Sequence, residues 1–145
     1  MGGIKVTSAD QWFSRCVRER SNWRCERCGS HKPLSYDGTR SGLDCAHYQG
    51  RGNWSTRFHP TNAAALCYGC HSYCDANPEY KSAWFQNLYG PDIAQEMVCL
   101  AARPAKGLKK RVREISKHYR LEYGRMVQLR AEGETGRIEF EGFEL

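Results

Sequence analysis

Apolar residues recur at helical spacing near both ends of the chain and lose that period between residues 25 and 62. Ser8 and Gln11 have the spacing of a capping box, and Trp12, Phe13, Cys16 and Val17 then share one helical face, which predicts a helix over 8–20. In the centre, Gly29, Pro33, Gly38, Gly42, Gly50 and Gly52 punctuate loops and short strands, with 43–48 the best strand segment. The stretch 62–73 reads as a loop that turns into a helix. Pro78 suits a helix start, and Tyr80, Trp84, Phe85 and Leu88 recur up to the Gly90-Pro91 break, where Pro91 opens another helix. Leu108, Val112, Ile115, Tyr119, Tyr123 and Met126 form a stripe that predicts a long amphipathic helix over 105–130, its aromatic side expected in the core. The pattern is α+β, with helices flanking a small irregular centre.

At 145 residues the length fits one domain. Mean hydropathy is −0.73, so the chain is short of core and a structural metal would help it fold. No apolar run approaches a membrane span and the M-G-G-I-K start has no signal-peptide pattern, so an intracellular protein with no membrane partner is expected.

Charge is concentrated. Of the net +6, residues 105–130 alone supply +7, from nine Lys or Arg against two Glu, while the tail 131–145 carries −4. A basic segment of this kind is the footprint of a phosphate-backbone binder, with a solvated helix face as the alternative. The acidic tail reads as a flexible end or a weak competitor for that basic surface.

The cysteines change the picture most. Cys25 and Cys28 sit in C-E-R-C, and Cys67 and Cys70 in C-Y-G-C, with thirty-eight residues between the pairs. Two C-x-x-C units in a chain expected to stay reduced read as the halves of one tetrahedral zinc site. Cys16, Cys45, Cys74 and Cys99 lack paired spacing and read as small buried hydrophobes. The gap between the pairs holds D-C-A-H at 44–47 and R-F-H-P-T-N at 57–62, and His71 follows the second pair at once, so the staple brackets candidate chemistry.

The order C-x-x-C, D-C-A-H, Asn62, C-x-x-C-H is similar to the zinc-bearing HNH endonucleases. More narrowly, A-D-Q-W-F-S-R-C-V-R-E-R at 9–20, C-E-R-C-G at 25–29, A-H-Y-Q-G-R-G at 46–52, R-F-H-P-T-N at 57–62 and I-S-K-H-Y-R at 115–120 resemble the phage NinG (Rap) recombination endonucleases. The resemblance implies a zinc-stapled ββα-metal core over 25–76, flanked by an N-terminal helical segment at 1–24 and C-terminal helices at 77–130. It implies a metal-dependent nuclease of phage or prophage origin, working in the bacterial cytoplasm on branched recombination intermediates such as a Holliday junction.

Hydrolysis of a phosphodiester needs a base, positive charge for the crowded phosphate and help for the leaving oxygen. His47 stands where the family has its general base; a structural histidine is the alternative. Asn62 matches the family's middle asparagine, which ties the loop between two strands, and can also be a turn or capping residue. His71 lies where the family has a catalytic metal ligand on a helix; it can instead lie as a fifth group beside the zinc. The family often has Asp or His immediately before the base, where this chain has Ala46. Asp44, on the same strand face, is the first candidate for the missing ligand. Asp75, one helical turn beyond His71, is the second and His59 the third. Such donors suit Mg²⁺ or Mn²⁺. Arg51 and Arg57 are candidate clamps for the scissile phosphate, and Lys109, Lys110, Arg111, Arg113, Lys117 and Arg120 candidate DNA-backbone contacts. A homodimer is compatible with this reading. Two other classes stay open: an HNH protein that nicks DNA for homing, restriction or packaging, and a zinc-dependent DNA-binding protein without cleavage activity.

Overall fold

The structure, a computed structural model, describes residues 4–105 and 107–144. The first three residues of the N-terminal segment, Lys106 of the basic stretch and Leu145 of the tail therefore lie outside the described residues. The order is α1 (Ser8–Arg20), β1 (Leu43–His47), a 3-10 turn (Pro60–Asn62), β2 (Ala63–Cys67), α2 (Tyr68–Ala76), α3 (Pro78–Tyr89), α4 (Pro91–Ala101), a second 3-10 turn (Leu108–Arg111) and α5 (Val112–Ala131). Among the described residues the fold is α+β: five helices around one antiparallel hairpin, in which Leu43 faces Cys67 and His47 faces Ala63. None of the described helices is long and apolar enough to cross a membrane.

The first helix is capped one residue earlier than expected. Its N-cap is Thr7, not Ser8, and the reciprocal partner is Asp10, not Gln11. Thr7 Oγ1 accepts from Asp10 N–H at 3.2 Å while Asp10 Oδ2 accepts from Thr7 N–H at 2.8 Å, so both ends of the box are satisfied. Phe13, Cys16 and Val17 of this helix are buried against Ile115, Tyr119 and Met126 of α5. Phe13 and Tyr119 meet edge to face at 5.0 Å.

Residues 63–67 form a strand where the residue pattern suggested a loop entering a helix. Alanine favours helices, but Ala63, Ala64, Ala65 and Leu66 are all buried, because α1 and α2 both pack on this hairpin. Burial there overrides propensity. β1 ends at His47, one residue short of the expected segment. The long basic helix is also shorter than expected, since Leu108–Arg111 is a 3-10 turn and α5 proper starts at Val112.

The tail corrects an expectation of flexibility. Ile138 N–H donates to the Arg20 carbonyl at 3.2 Å, Glu141 N–H to Glu122 Oε1 at 2.7 Å and Phe143 N–H to the Tyr119 hydroxyl at 3.0 Å. Ile138 and Phe140 are buried in the main core. Their positions, two apart, are those of an extended strap with one face inward. Each buried side chain of this kind stabilises by about 1.5–3 kcal/mol, enough to hold a short segment down.

Candidate metal centre and catalytic cleft

The two cysteine pairs meet at one end of the hairpin. Cys25 and Cys28 lie in a tight turn closed by Gly29 N–H donating to the Cys25 carbonyl at 2.8 Å, and Gly29 has φ +77°, a conformation that favours glycine. This knuckle docks on β2: Glu26 N–H donates to the Ala65 carbonyl at 2.8 Å, and Ala65 N–H donates to Glu26 Oε2 at 2.7 Å. Cys67 is the N-cap of α2 and Cys70 sits in its first turn. Four sulfurs bound to one zinc at ~2.3 Å are about 3.8 Å apart at tetrahedral angles. Cys28 Sγ and Cys67 Sγ are 3.8 Å apart, and the four ligand atoms lie within 4.8 Å of one another. A disulfide needs about 2.05 Å, so the spacing is that of a metal cluster. The four thiols can hold a metal such as zinc.

The surroundings act differently on the cysteines. Burial pushes the Cys25 thiol up, but hydrogen bonds from the backbone of Cys28, Cys67 and Arg27 outweigh it and bring it down to about 7. Burial, with hydrogen bonds among the neighbouring thiols, pushes Cys70 up to about 12 against the pull of Arg27. Thiols this close share few charges unless a cation lies among them. Arg27 donates to Cys70 Sγ at 3.3 Å and to the Tyr80 hydroxyl at 2.9 Å, and lies over the rings of Tyr73 and Tyr80. The remaining cysteines divide. Cys16 and Cys74 are buried and Cys45 half-buried, but Cys99 is exposed, contrary to its reading as a core residue.

A cleft of about 480 Å³ is lined by Asp44, His47, Arg51 and His71. Asn62 does not line it, but ties the loop between His47 and Arg51. The fully buried amide accepts from Gln49 N–H at 2.8 Å and donates to the Gln49 carbonyl at 3.0 Å, closing the loop that follows His47. His47 stacks near Phe13, with ring centroids 6.2 Å apart, and its Nε2 is buried with no hydrogen-bond partner among the described residues. Burial, then the charge of Arg51, pushes its pKa down to about 4. At neutral pH the ring is uncharged. His71 Nδ1 lies 2.9 Å from Asp44 Oδ2, and His71 Nε2 lies 3.4 Å from Asp75 Oδ2. Asp75 also pairs with Lys81 at 2.9 Å.

Three sequence-based assignments change. Arg57 is no surface clamp: it is 1% exposed, and Nε and one terminal nitrogen donate to Asp10 Oδ1 and Oδ2 at 2.9 and 2.6 Å. It packs over Trp54 and braces the loop to α1, because a buried guanidinium needs its carboxylate. His59 is the N-cap of the Pro60–Asn62 turn and lines a separate cavity with Glu96 and Met97, so it does not join Asp44 and His71. Arg111 pairs with Glu114 and lies over Phe143, which leaves it less available to DNA than its exposed neighbours Lys109, Lys110, Arg113, Lys117 and Arg120.

Sequence reasoning missed one wall of the cleft. Gln11, Ser14 and Arg18 line it from α1. Their spacing places them on one helical face, a signal present in the sequence but masked by the stronger apolar stripe. Arg18 is fixed by donating to the Ser14 carbonyl at 3.1 Å and the Leu43 carbonyl at 3.4 Å.

No protein-family model, curated protein or solved structure matches this chain.

Proposed function

We propose that the protein is a metal-dependent HNH-type DNA endonuclease that hydrolyses phosphodiester bonds in branched recombination intermediates. The observation that carries this reading is one cleft shared by an uncharged histidine whose Nε2 has no partner among the described residues, a carboxylate–histidine pair and an arginine: His47, Asp44 with His71, and Arg51. The order of hairpin, asparagine-tied loop and helix supports it, as does the sequence resemblance to the NinG group, which favours branched DNA and a phage-encoded protein in the host cytoplasm.

In this reading His47 takes the proton from the attacking water. Its low pKa keeps it in the basic form at pH 7, and makes it a base that gains the proton only as the new bond to phosphorus forms. Arg51 offsets the charge on the phosphate, while Asn62 fixes the loop between the base and that arginine. Asp44 and His71 are the donors for a hard divalent ion, Mg²⁺ or Mn²⁺, which when bound supplies charge to the phosphate and the leaving 3′ oxygen. The four cysteines hold a zinc that keeps the hairpin and α2 in place.

One observation favours a second reading, a zinc-dependent DNA-binding protein without cleavage. Ala46, where many relatives carry a ligand, is fully buried and has no donor to offer.

Plasmid nicking with Mg²⁺ or Mn²⁺, against a chelator control, separates the two. The wild type should nick, and His47→Ala should fold, keep zinc and bind DNA while its rate falls roughly 10²–10⁴-fold. A wild-type protein that binds DNA but never nicks it selects the second reading. Four-way junction, flap, single-stranded and plain duplex substrates then test the branched-DNA preference; preferential cutting of plain duplex would point to homing, restriction or packaging instead.

A further inference from the structure

Other arginines that leave water in this fold are matched or sealed in. Arg57 pairs with Asp10 at 2.6 Å and Arg130 with Glu19 at 3.1 Å, while Arg20 is buried on the Pro60 and Ala63 carbonyls. Arg18 is neither. Burial pushes its pKa down, yet it lines the open cleft and makes no ion pair among the described residues. Its partners are neutral: Nε donates to the Ser14 carbonyl and Nη2 to Ser14 Oγ, each at 3.1 Å, and Nη1 to the Leu43 carbonyl at 3.4 Å. A guanidinium has five N–H groups, so one on each terminal nitrogen is left, and phosphate takes such a pair bidentately. The plane is also held from one side. It lies over Trp23, 5.2 Å from the ring centre, and Trp23 holds φ +60°, a left-handed conformation that a bulky side chain rarely adopts. Strain of that kind gathers at ligand sites.

We propose that Arg18 is a second phosphate-binding residue of the cleft, and that the cleft holds one DNA strand by two of its phosphates, at Arg18 and at Arg51, with Asp44 and His47 between them. Arg18 bonds the backbone at the Leu43 end of β1, and Arg51 stands in the loop that follows the His47 end. β1 is 5 residues long, so its ends stand about 13 Å apart, farther than one phosphate group reaches. Arg51 is set in the same way as Arg18: it makes no ion pair among the described residues and donates to the Ile4 carbonyl at 2.7 Å. A guanidinium withdrawn from water without a carboxylate is costly, and an entering phosphate offsets that cost. Arg18 thus supplies the clamp that Arg57, spent on Asp10, does not. The inference rests on the reading of the cleft as a DNA site, and adds that the strand lies along β1 against the α1 wall.

The test uses the full zinc-loaded chain with no added divalent ion and a single-stranded oligothymidylate, bound over a range of salt concentrations. Arg18→Gln should weaken binding roughly 10–100-fold and flatten the log–log salt slope by about 0.7. Arg18→Lys keeps the charge but not the fork, so it should keep the slope and recover only part of the affinity. Arg51→Gln should match Arg18→Gln, and the double variant should lose both slopes. Arg24→Gln, at an exposed arginine of a different cavity, should change neither quantity. In the wild type, which needs no variant to fold, the Arg18 Nε–H resonance should move as oligonucleotide is added. An unmoved resonance overturns the proposal, as does an Arg18→Gln protein with wild-type affinity and slope. An equal effect from Arg24→Gln overturns it too, since Arg18 would then be one charge in a general field. A double variant no worse than either single one would mean a shared phosphate and overturn the two-phosphate arrangement. A wild type that binds as expected yet nicks no plasmid with Mg²⁺ or Mn²⁺ would defeat the nuclease reading and leave this one standing. One that nicks but whose oligonucleotide binding is indifferent to Arg18→Gln would do the reverse.

Discussion

Asp10 serves two structures with one carboxylate. It closes the capping box of α1 through Thr7 and neutralises the buried Arg57. Burial raises its pKa, but hydrogen bonds from Arg57 and Thr7 and the guanidinium charge outweigh that and hold it below the usual carboxylate value. The folded state therefore favours the ionised form, so the stabilisation is fully present above the unfolded pKa of about 3.9 and is lost as pH falls through the lower folded value. Asp10→Asn should cost roughly 3–5 kcal/mol at pH 7, because it strands a buried charge. Urea unfolding of both proteins should show that gap at pH 5–7 and a narrowing of it as the pH falls below the unfolded value toward the lower folded one. A gap that persists undiminished at low pH would mean that shape rather than charge holds the pair. The sequence showed Arg57 only as an arginine near candidate chemistry. A partner forty-seven positions away is a tertiary fact, invisible to local pattern.

α1 and α3 were legible because one buried face leaves a period of 3.6 in the sequence, and α4 because Pro91 marks a helix start. β2 was not, since burial on both faces erases alternation and leaves a run of alanines that reads as helix. The cysteine pairs were legible because a C-x-x-C spacing that could share one metal is local on each side of a long loop. What spacing did not reveal is that the knuckle also bonds to the middle of β2 through Glu26, so the cluster supports the hairpin as well as α2. Cys67→Ser should therefore unfold more than a loop. Elemental analysis of the wild type should give one zinc per chain, and the variant should lack both the zinc and cooperative thermal unfolding. A Cys67→Ser protein that melts like the wild type would remove the metal from the folding argument.

Across the whole molecule, charge is sorted by the way the tail packs. Arg125 pairs with Glu122, Arg130 with Glu19, and Arg137 of the tail with Glu26 and Glu139, so these cations serve the fold. The tail runs along α5 with Ile138 and Phe140 inward, which a composition of five Glu in fifteen residues did not suggest. It leaves Lys109, Lys110, Arg113, Lys117 and Arg120 exposed, and none of them makes an ion pair among the described residues. That remainder is the surface to test for DNA. Protein groups on the phosphates position a duplex without reading its sequence, so selectivity from this helix should follow DNA shape. Replacing Lys109, Lys110, Arg113 and Lys117 together by Gln keeps Arg111 on Glu114 and Phe143, and leaves the buried stripe of Leu108, Ile115 and Tyr119 untouched. Binding to junction DNA should weaken for every sequence, and the log–log salt slope should flatten by about 0.9 for each phosphate that the variant no longer neutralises. Because the cleft lies elsewhere, low salt or high protein concentration should, on the proposed nuclease reading, restore cutting. Unchanged affinity and salt slope in the quadruple variant would make this face solvated structure, and would leave the DNA path to the arginines of the cleft.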